Sequence, residues 1–579
     1  MESVDDYKTC WGNVYRATYA KGKKHWRPEL AVPGEFVEFL NSPLWPAPPA
    51  KVLEAGCGDG LAAIRLREMG YEVLGVDVVE EAIERARETA AARGTEVEFL
   101  CADLAAEGLS LARPSDLWVD IKVLHCLWDD KARKAYLKNS YANLRSGGIL
   151  FLMGGLALAE VKSHFPEFFA PLDDETKHGA ETLDRDLPRE KRTGIRCETL
   201  PWLCRELEEA GFEVLRAGRA VGKGTGSGAG WGAILVARKP YAVKRTRLGV
   251  SEKVESVPPP EIRSFLKRTF GEPAYERWDF HNNEAFESRI FVVTQNLPEE
   301  NGHKTIRIVW KRYNSDIPAE RAQSDANLVR ILRQEGLPVP EVRGLFPDHN
   351  SLLMEHCGEA TLADLLKLGK PLKDGLWEQI VRDLASLHMV LNAKWSEAPP
   401  LPDWRFEKEQ RLQWAAQGLE TWSSEGLLPD GAVASFRQWL PTLSENLSEE
   451  RRFGNVIWGD CNPKNILIAA DRYCFIDFQP KRSSLMLDIV LLFAFADSPA
   501  TYLPRVQAHG FLRGYWSHAR DSFPEIGTLE QFLAWYDGEL LWRILVYGGN
   551  LLRRKGERLN EWHEVCAKML VDLKELAVA

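Results

Sequence analysis

The sequence predicts an α/β protein in two parts: an open, parallel-stranded domain, then a two-lobed α+β domain. Three observations carry this. The 579 residues exceed what one hydrophobic core ordinarily serves. An apolar run, Lys51 to Ala55, feeds a glycine-rich turn, Gly56-Cys-Gly-Asp-Gly60, and then the helical stretch Leu61 to Met69. That is a strand–turn–helix unit of an open sheet. Far downstream, the strand-like runs Val456 to Leu467 and Cys474 to Gln479 place Asp460, Asn465 and Asp477 in one short segment. Between them, Arg238 to Pro260 joins basic residues (Lys239, Lys244, Arg245, Arg247) to Pro258-Pro-Pro260, which is linker composition. The expected boundaries are 1–240, a linker at 241–260, and 261–579.

The opening stretch sets Trp11, Tyr15, Tyr19 and Trp26 ahead of Pro33 to Leu40. It reads as a helical N-terminal cover, either a lid or plain packing. After the glycine turn comes the strand Glu72 to Asp77. An acidic residue there, about 20 residues past the glycines, can take the two hydroxyls of a ribose. Glu80 to Arg93 is a charged amphipathic helix. Glu96 to Asp103 is a third strand, ending where Asp103 can meet an adenine amino group.

The set Glu54, Gly56, Gly58, Gly60, Asp77 and Asp103 resembles motifs I to III of class I S-adenosylmethionine-dependent methyltransferases, over roughly residues 40 to 236. Dinucleotide (NAD) binding is the competing reading of the glycines alone. The resemblance implies a Rossmann-like seven-stranded sheet that binds S-adenosylmethionine. Asp116 to Leu127 then follows as a strand, Arg133 to Leu144 as a helix, and Ser146 to Met153 as turn and strand. Ala210 to Leu215 and Gly232 to Ala237 form the closing antiparallel pair. The Trp-rich start and the Asp120 to Leu127 segment are similar to the thiopurine methyltransferase-like (type 11) branch, which implies a small acceptor. Methyl transfer rests mainly on positioning. Asp120, His125 and Trp128 fall on the acceptor side, with His125 either a base or a structural histidine. The insert Ala157 to Thr199 (His164, His178, Arg185, Arg189, Lys191, Arg192) reads as an acceptor-site cap for an acidic substrate or as a solvated charged face. Lys223 to Gly230 is a flexible loop.

In the second half, Glu284 to Val293 should supply the first two strands. Thr305 to Tyr313 is a strand with Lys311 in apolar company, and Ala319 to Glu335 is a helix. Ser351 to Cys357 reads as a strand and hinge. Thr361 to Leu366, Trp377 to Met389, Glu407 to Gln417 and Ala432 to Leu447 read as helices. Phosphoryl transfer needs a carboxylate to orient an attacking hydroxyl, and a second carboxylate and an amide to hold Mg²⁺ on nucleotide phosphates. The Asp-x-x-x-x-Asn spacing, then an Asp after an apolar strand, supplies them in that order. Asp460 is expected to be the base, and Asn465 and Asp477 the metal ligands.

This segment resembles the catalytic loop of the aminoglycoside phosphotransferase and choline kinase group, which shares the protein kinase fold. That group usually reads His-Gly-Asp and then Ile-Asp-Phe. Here Trp458 stands in place of His, and Gln479 stands where protein kinases carry Gly. The resemblance implies ATP and Mg²⁺ as cofactors, with Lys311 on the α/β phosphates and Asp325 (or Glu320) as its acidic partner. It further implies that Glu355 and Cys357 offer backbone groups to adenine, and that Asp488 supports the loop.

The net charge of −10 gives no basic field for nucleic acid. The ten cysteines show no CxxC pairs and read as reduced thiols of a cytoplasmic protein. No run reaches the roughly 20 apolar residues of a membrane span, and the acidic start is unlike a signal peptide. The expectation is a bifunctional enzyme, transferring methyl and phosphoryl groups to a small-molecule or sugar-like acceptor. The domain order resembles the methyltransferase–kinase chain terminators of O-antigen polysaccharides, but their long coiled coil has no counterpart here. The alternatives are a binding or regulatory protein with an inactive kinase fold, and an enzyme that modifies tRNA.

Overall fold

The computed structural model describes the chain except residues 1–6, 24–32, 41, 43–44, 112, 158, 161–162, 164–195, 223–230, 241–257, 282–287, 300–301, 316, 319, 396–407, 429–430, 439–453, 470–471, 496–497, 554–558 and 579. Two compact units emerge, Met1–Ala322 with Gly344–His356, and Gln323–Arg343 with Cys357–Ala579. The division therefore does not fall at the proline-rich segment. Strands expected in the second domain belong to the first unit, for a reason that lies in strand pairing.

The first unit opens with α1 (Tyr7–Ala20) and α2 (Gly34–Leu40), followed by β1 (Lys51–Ala55), α3 (Leu61–Glu68), β2 (Glu72–Asp77), α4 (Glu80–Ala92), β3 (Glu98–Cys101) and β4 (Ser115–Ile121). Next come α5 (Asp130–Asn143), β5 (Leu144–Gly154), α6 (Leu200–Glu209), β6 (Glu213–Gly222) and β7 (Trp231–Arg238). β1 pairs in parallel with β2 and β4, β2 with β3, and β4 with β5. β7 runs antiparallel between β5 and β6. Strand residues alternate between two cores because successive side chains point to opposite faces. Leu53, Trp118, Leu150 and Leu152 enter one core, and Val52, Leu117, Val119 and Phe151 the other. Near-continuous apolar strands are what a parallel sheet covered on both faces requires.

The sheet does not stop at β6. After α7 (Pro260–Phe270), β8 (Tyr275–His281) lies antiparallel to β6, with Gly218 opposite Asp279. β9 (Ser288–Glu299) pairs with β8, and β10 (Gly302–Tyr313) with β9. β11 (Val342–Phe346) and β12 (Ser351–Glu355) follow, and β12 pairs with β10. The result is one twelve-stranded sheet, in the order β11-β12-β10-β9-β8-β6-β7-β5-β4-β1-β2-β3.

β8 is amphipathic in an unusual way. Trp278 and Phe280 enter the apolar core with Phe291 and Trp310, while Arg277 and Asp279 are buried on the opposite face. Asp279 Oδ2 accepts from Arg277 Nε at 2.9 Å and from Arg216 of β6. Glu38 of α2 binds Arg277 at 2.8 Å and Arg307 of β10 at 2.6 Å. A Cβ at Gly218 would overlap the Asp279 carboxylate, so this glycine makes room for the charge. Burial pushes the Asp279 carboxyl up, but Arg216 and Arg277 override it and hold it near 2. The expected pair of strands at Glu284 to Val293 is thus one strand beginning at Ser288, preceded by β8; residues 284–287 lie outside the described residues.

The second unit holds α8 (Arg321–Gln334, from Gln323 onward), β13 (Ala360–Thr361), α9 (Leu362–Lys367), α10 (Leu376–Lys394), α11 (Lys408–Ser424) and β14 (Asn455–Ile457). It continues through β15 (Ile466–Ile468), β16 (Tyr473–Phe475), β17 (Lys481–Ser483), α12 (Leu485–Phe493), α13 (Arg505–Ala519), α14 (Leu529–Arg543), α15 (Gly549–Arg553) and α16 (Leu559–Val578). Thr361 and Asp364 form a capping box that starts α9. β13, β15 and β16 form a small sheet, and β14 pairs with β17. Both small ladders rest on a helical core that includes Leu384, Leu387, Leu492, Leu512 and Tyr536. Of the expected helix Ala432 to Leu447, residues 439–447 lie outside the described residues. Among the described residues no helix is long and apolar enough to cross a membrane.

Candidate active sites

In the first unit, the turn after β1 is tied to the end of β2. The Gly58 N–H donates to Asp77 Oδ2 at 2.9 Å, and the Val79 N–H to Oδ1 at 3.0 Å. Gly58 has φ 53°, a left-handed conformation that suits glycine. Glu54 is buried, and its Oε2 has no hydrogen-bond partner. Burial pushes its carboxyl well up, Asp77 and Asp59 add to that, and a backbone hydrogen bond from Ala63 opposes it. An orphaned buried acceptor beside a glycine turn fits a ligand that brings a cationic or N–H group.

The glycines serve different ends. A Cβ on Gly60 would stand 2.8 Å from Phe99 and 2.9 Å from Ala86, and one on Gly56 would overlap Val123. These two are required by packing as well as by the turn. A Cβ on Gly58 would stand 2.7 Å from the Tyr15 hydroxyl, so α1 lies directly over the turn. Tyr15 is buried, and its ring centroid is 6.4 Å from that of Trp11 and 5.9 Å from that of Tyr19. α1 also reaches Asp103: Tyr7 Oη donates at 2.6 Å and Lys8 Nζ pairs at 2.6 Å. Burial raises the Asp103 carboxyl, but Lys8 and Tyr7 outweigh it and the net direction is down. Asp103, expected to face adenine, is thus already engaged by two residues that sequence reasoning missed.

On the expected acceptor side, Asp120 is a framework residue. Its carboxylate accepts from the Val123 N–H at 2.7 Å, the Leu124 N–H at 3.0 Å and Tyr136 Oη at 2.8 Å, and burial pushes it up to about 6. His125 Nδ1 accepts the Gly155 N–H at 3.1 Å, so the ring proton resides on Nε2. Burial, with Lys122 and Arg133 nearby, lowers its pKa to about 3. Of its two readings, general base and structural histidine, the geometry favours the second: the lone pair a base would use is occupied. Arg196 donates its backbone N–H to His125 O at 2.7 Å, and its side chain binds Glu198 and Asp130 at 2.7 and 2.6 Å. The proposed cap residues His164, His178, Arg185, Arg189, Lys191 and Arg192, and the loop Lys223 to Gly230, lie outside the described residues.

In the second unit the three expected residues converge. Asp460 follows β14, and both its carboxylate oxygens are held by amides: Asn462 Nδ2 at 2.9 Å on Oδ1 and Asn465 Nδ2 at 2.9 Å on Oδ2. Because Asn465 spends its nitrogen on Asp460, its amide oxygen is the atom left for a cation. The Ile476 N–H donates to Asn465 O at 3.0 Å, which brings Asp477 alongside. Asp477 has φ 57°, a left-handed conformation that costs an L-residue about 1–2 kcal/mol and is best tolerated by Asp and Asn. Burial raises the Asp460 carboxyl, and Asp477 raises it further, against Asn465, Asn462 and Lys481. One carboxylate and one amide would leave the rest of a Mg²⁺ shell to phosphates and water.

The loop is held from beneath. Asp488, buried at the start of α12, accepts the Trp458 N–H at 2.7 Å and the Gly459 N–H at 3.0 Å. His388 Nε2 lies 3.1 Å from Asp488, and its Nδ1 is 2.7 Å from Tyr515 Oη. Lys481, buried on β17 opposite Ile457, sits near Asp460 and Asp488; burial lowers its pKa and these two carboxylates raise it.

The remaining expected residues divide between the units. Lys311 is buried on β10 with its Nζ 4.9 Å from the Tyr313 ring centroid, and Glu355 ends β12 opposite Ile308. Asp325 is half-buried on α8. Cys357 is buried with its Sγ 2.9 Å from that of Cys474.

Residues 52–148 match the family model described as a methyltransferase domain. Residues 288–520 match that described as the phosphotransferase enzyme family. The tRNA 5-carboxymethoxyuridine methyltransferase of Escherichia coli is 30% identical over 172 residues, which are 28% of this chain and 60% of that protein. The ubiquinone biosynthesis O-methyltransferase of Idiomarina loihiensis is 34% identical over 101 residues, 17% of this chain and 40% of that protein. The chain thus spans less than two thirds of the length of these curated relatives. Among solved structures, the 1,6-didemethyltoxoflavin-N1-methyltransferase of Burkholderia thailandensis is similar at 22% identity over 40% of this chain and 89% of that one, with TM-score 0.29. The chain is therefore similar to methyltransferase domains over one segment and to the phosphotransferase family over a later one, in that order.

Proposed function

We propose that the protein is a bifunctional transferase, moving a methyl group from S-adenosylmethionine in its first half and a phosphoryl group from ATP in its second. The acceptor of the phosphoryl group is a hydroxyl of a small molecule or sugar-like compound. The observation that carries the second activity is Asp460 clasped by two amides, with Asp477 alongside. That clasp aims a carboxylate at an incoming hydroxyl, whose proton it orients and accepts. Bound Mg²⁺ and ATP would supply the transferable phosphoryl group and neutralise its charge. Asn465 and Asp477 would hold the metal. In the first half, Glu54, the Gly58 turn and Asp77 would grip the sulfonium donor. Transfer there rests on alignment rather than on a base, in keeping with the occupied Nδ1 of His125.

The reading is tested by incubating the protein with methyl-labelled S-adenosylmethionine and γ-labelled ATP in a metabolite extract. Asp460→Asn should lower phosphate incorporation at least about 100-fold, the scale of losing a positioned base, and leave S-adenosylmethionine binding intact. Label in neither form with the unsubstituted protein would overturn it. A second reading takes the methyl acceptor to be a modified nucleoside in tRNA. It is favoured by the Escherichia coli relative and opposed by the net charge of −10. Salt-dependent RNA binding separates the two.

A further inference from the structure

We infer that Trp458 is the positioning residue that holds Asp477 in its left-handed, metal-facing conformation. The inference rests on the phosphotransferase reading above. Trp458 stands where the resembling kinases carry histidine, and by sequence alone the replacement removes a polar group next to the catalytic loop. The structure restores that group in another form. The indole Nε1–H donates to the backbone oxygen of Asp477 at 3.3 Å. The backbone oxygen of Trp458 accepts the Gln479 N–H at 3.0 Å. One residue therefore ties the peptide on both sides of Phe478, immediately after the metal ligand.

The indole is itself immobilised. It is buried, with ring centroids 5.1 Å from Phe475 and 5.1 Å from Phe478, the residues that flank Ile476 and Asp477. Its backbone N–H is anchored on Asp488 at 2.7 Å. The indole contacts therefore gather on the Phe475–Phe478 segment that carries the metal ligand, whereas the Asp460 carboxylate is held by Asn462 and Asn465. A left-handed Asp is a strained conformation that persists only where its surroundings over-determine it. Here the carbonyl of Asp477 itself is one of the bonded groups.

The test separates hydrogen bond from packing. Trp458 is replaced by 3-benzothienylalanine, which keeps the shape of the indole and lacks its N–H, and by histidine, which is smaller and can donate. Two readouts are taken: hydrogen exchange of the segment 476–480 in the metal-free protein, and the Mn²⁺ concentration needed for half-maximal phosphoryl transfer. Benzothienylalanine should speed exchange at Gln479 and raise the Mn²⁺ requirement about 3- to 10-fold, the scale of one buried hydrogen bond. Histidine should lie closer to the unsubstituted protein than benzothienylalanine does, despite the larger cavity it leaves. Unchanged exchange and Mn²⁺ requirement with benzothienylalanine would overturn the inference, as would a histidine variant that is the more impaired of the two. The exchange arm needs no turnover. An unsubstituted protein that transfers no phosphate would therefore count against the phosphotransferase reading while still deciding the role of the indole.

Discussion

Asp279 offers the sharpest test of how the first unit is built. It sits on β8 at zero exposure, with Arg277 beside it and Arg216 reaching across from β6. Replacing it with alanine leaves both guanidiniums buried beside one remaining carboxylate, Glu38. Breaking a buried ion pair from one side costs about 3–5 kcal/mol. The milder Asp279→Asn keeps the shape and removes the charge. The folded carboxyl is held near 2 rather than 3.8, which corresponds to roughly 2 kcal/mol at neutral pH. The sign is that of a depressed acid: this contribution is complete above about pH 4 and is lost as pH falls through 2. Urea unfolding at pH 7, followed by tryptophan fluorescence, should rank the proteins unsubstituted, Asn, Ala in falling stability. Repeated from pH 5 to 2, the Asn variant should lose less stability than the unsubstituted protein. An Ala variant within about 0.5 kcal/mol of the unsubstituted protein would refute the claim that this charge cluster locks β6 to β8.

Three further outcomes follow from the same geometry. A fragment of residues 1–240 bares the hydrogen-bonding edge of β6 and its buried arginines, and should aggregate where the full chain stays monodisperse by light scattering. Gly58→Ala places a Cβ 2.7 Å from the Tyr15 hydroxyl at φ 53°; it should cost about 1–2 kcal/mol in thermal unfolding and weaken S-adenosylmethionine binding by calorimetry. His125→Asn should leave the methyl-transfer pH profile between 5.5 and 8 unchanged in shape, because burial keeps the imidazole neutral down to about pH 3. In stability the sign is fixed too. Below about pH 6.5 an unfolded chain takes up the proton that folded His125 refuses, so the unsubstituted protein should lose stability on acidification that the Asn variant keeps.

The parts legible in the sequence were those written locally. Lys51 to Gly60 announces a strand, a turn and a helix because apolar period and glycine sit side by side. Asp460, Asn465 and Asp477 are legible because one loop carries them all. β8 was hidden for the opposite reason. Tyr275 to His281 carries Glu276, Arg277 and Asp279, which read as solvent-facing until Arg277 finds Glu38 and Asp279 finds Arg216, both more than fifty residues away, and Glu276 finds Arg263 on α7. The reach of α1 to Asp103 was hidden too, although Tyr7, Trp11, Tyr15 and Tyr19 stand four residues apart, a helical spacing.

These two misses share a physical cause, and it bears on how the halves can work. A buried charge or a satisfied carboxylate is specified by its partner rather than by its neighbours in sequence, so long-range pairing is invisible where local pattern is read. Here the pairing makes β8, β9, β10 and β12 extensions of the sheet that also carries the Gly58 turn. Lys311 therefore stands on the same hydrogen-bonded scaffold as Asp77. A substitution at the β6–β8 seam should disturb that scaffold as a whole, so loss of S-adenosylmethionine binding in Asp279→Ala should be accompanied by altered protection of β10 in hydrogen exchange. Altered protection confined to β8 would mean that the seam joins two mechanically independent sheets.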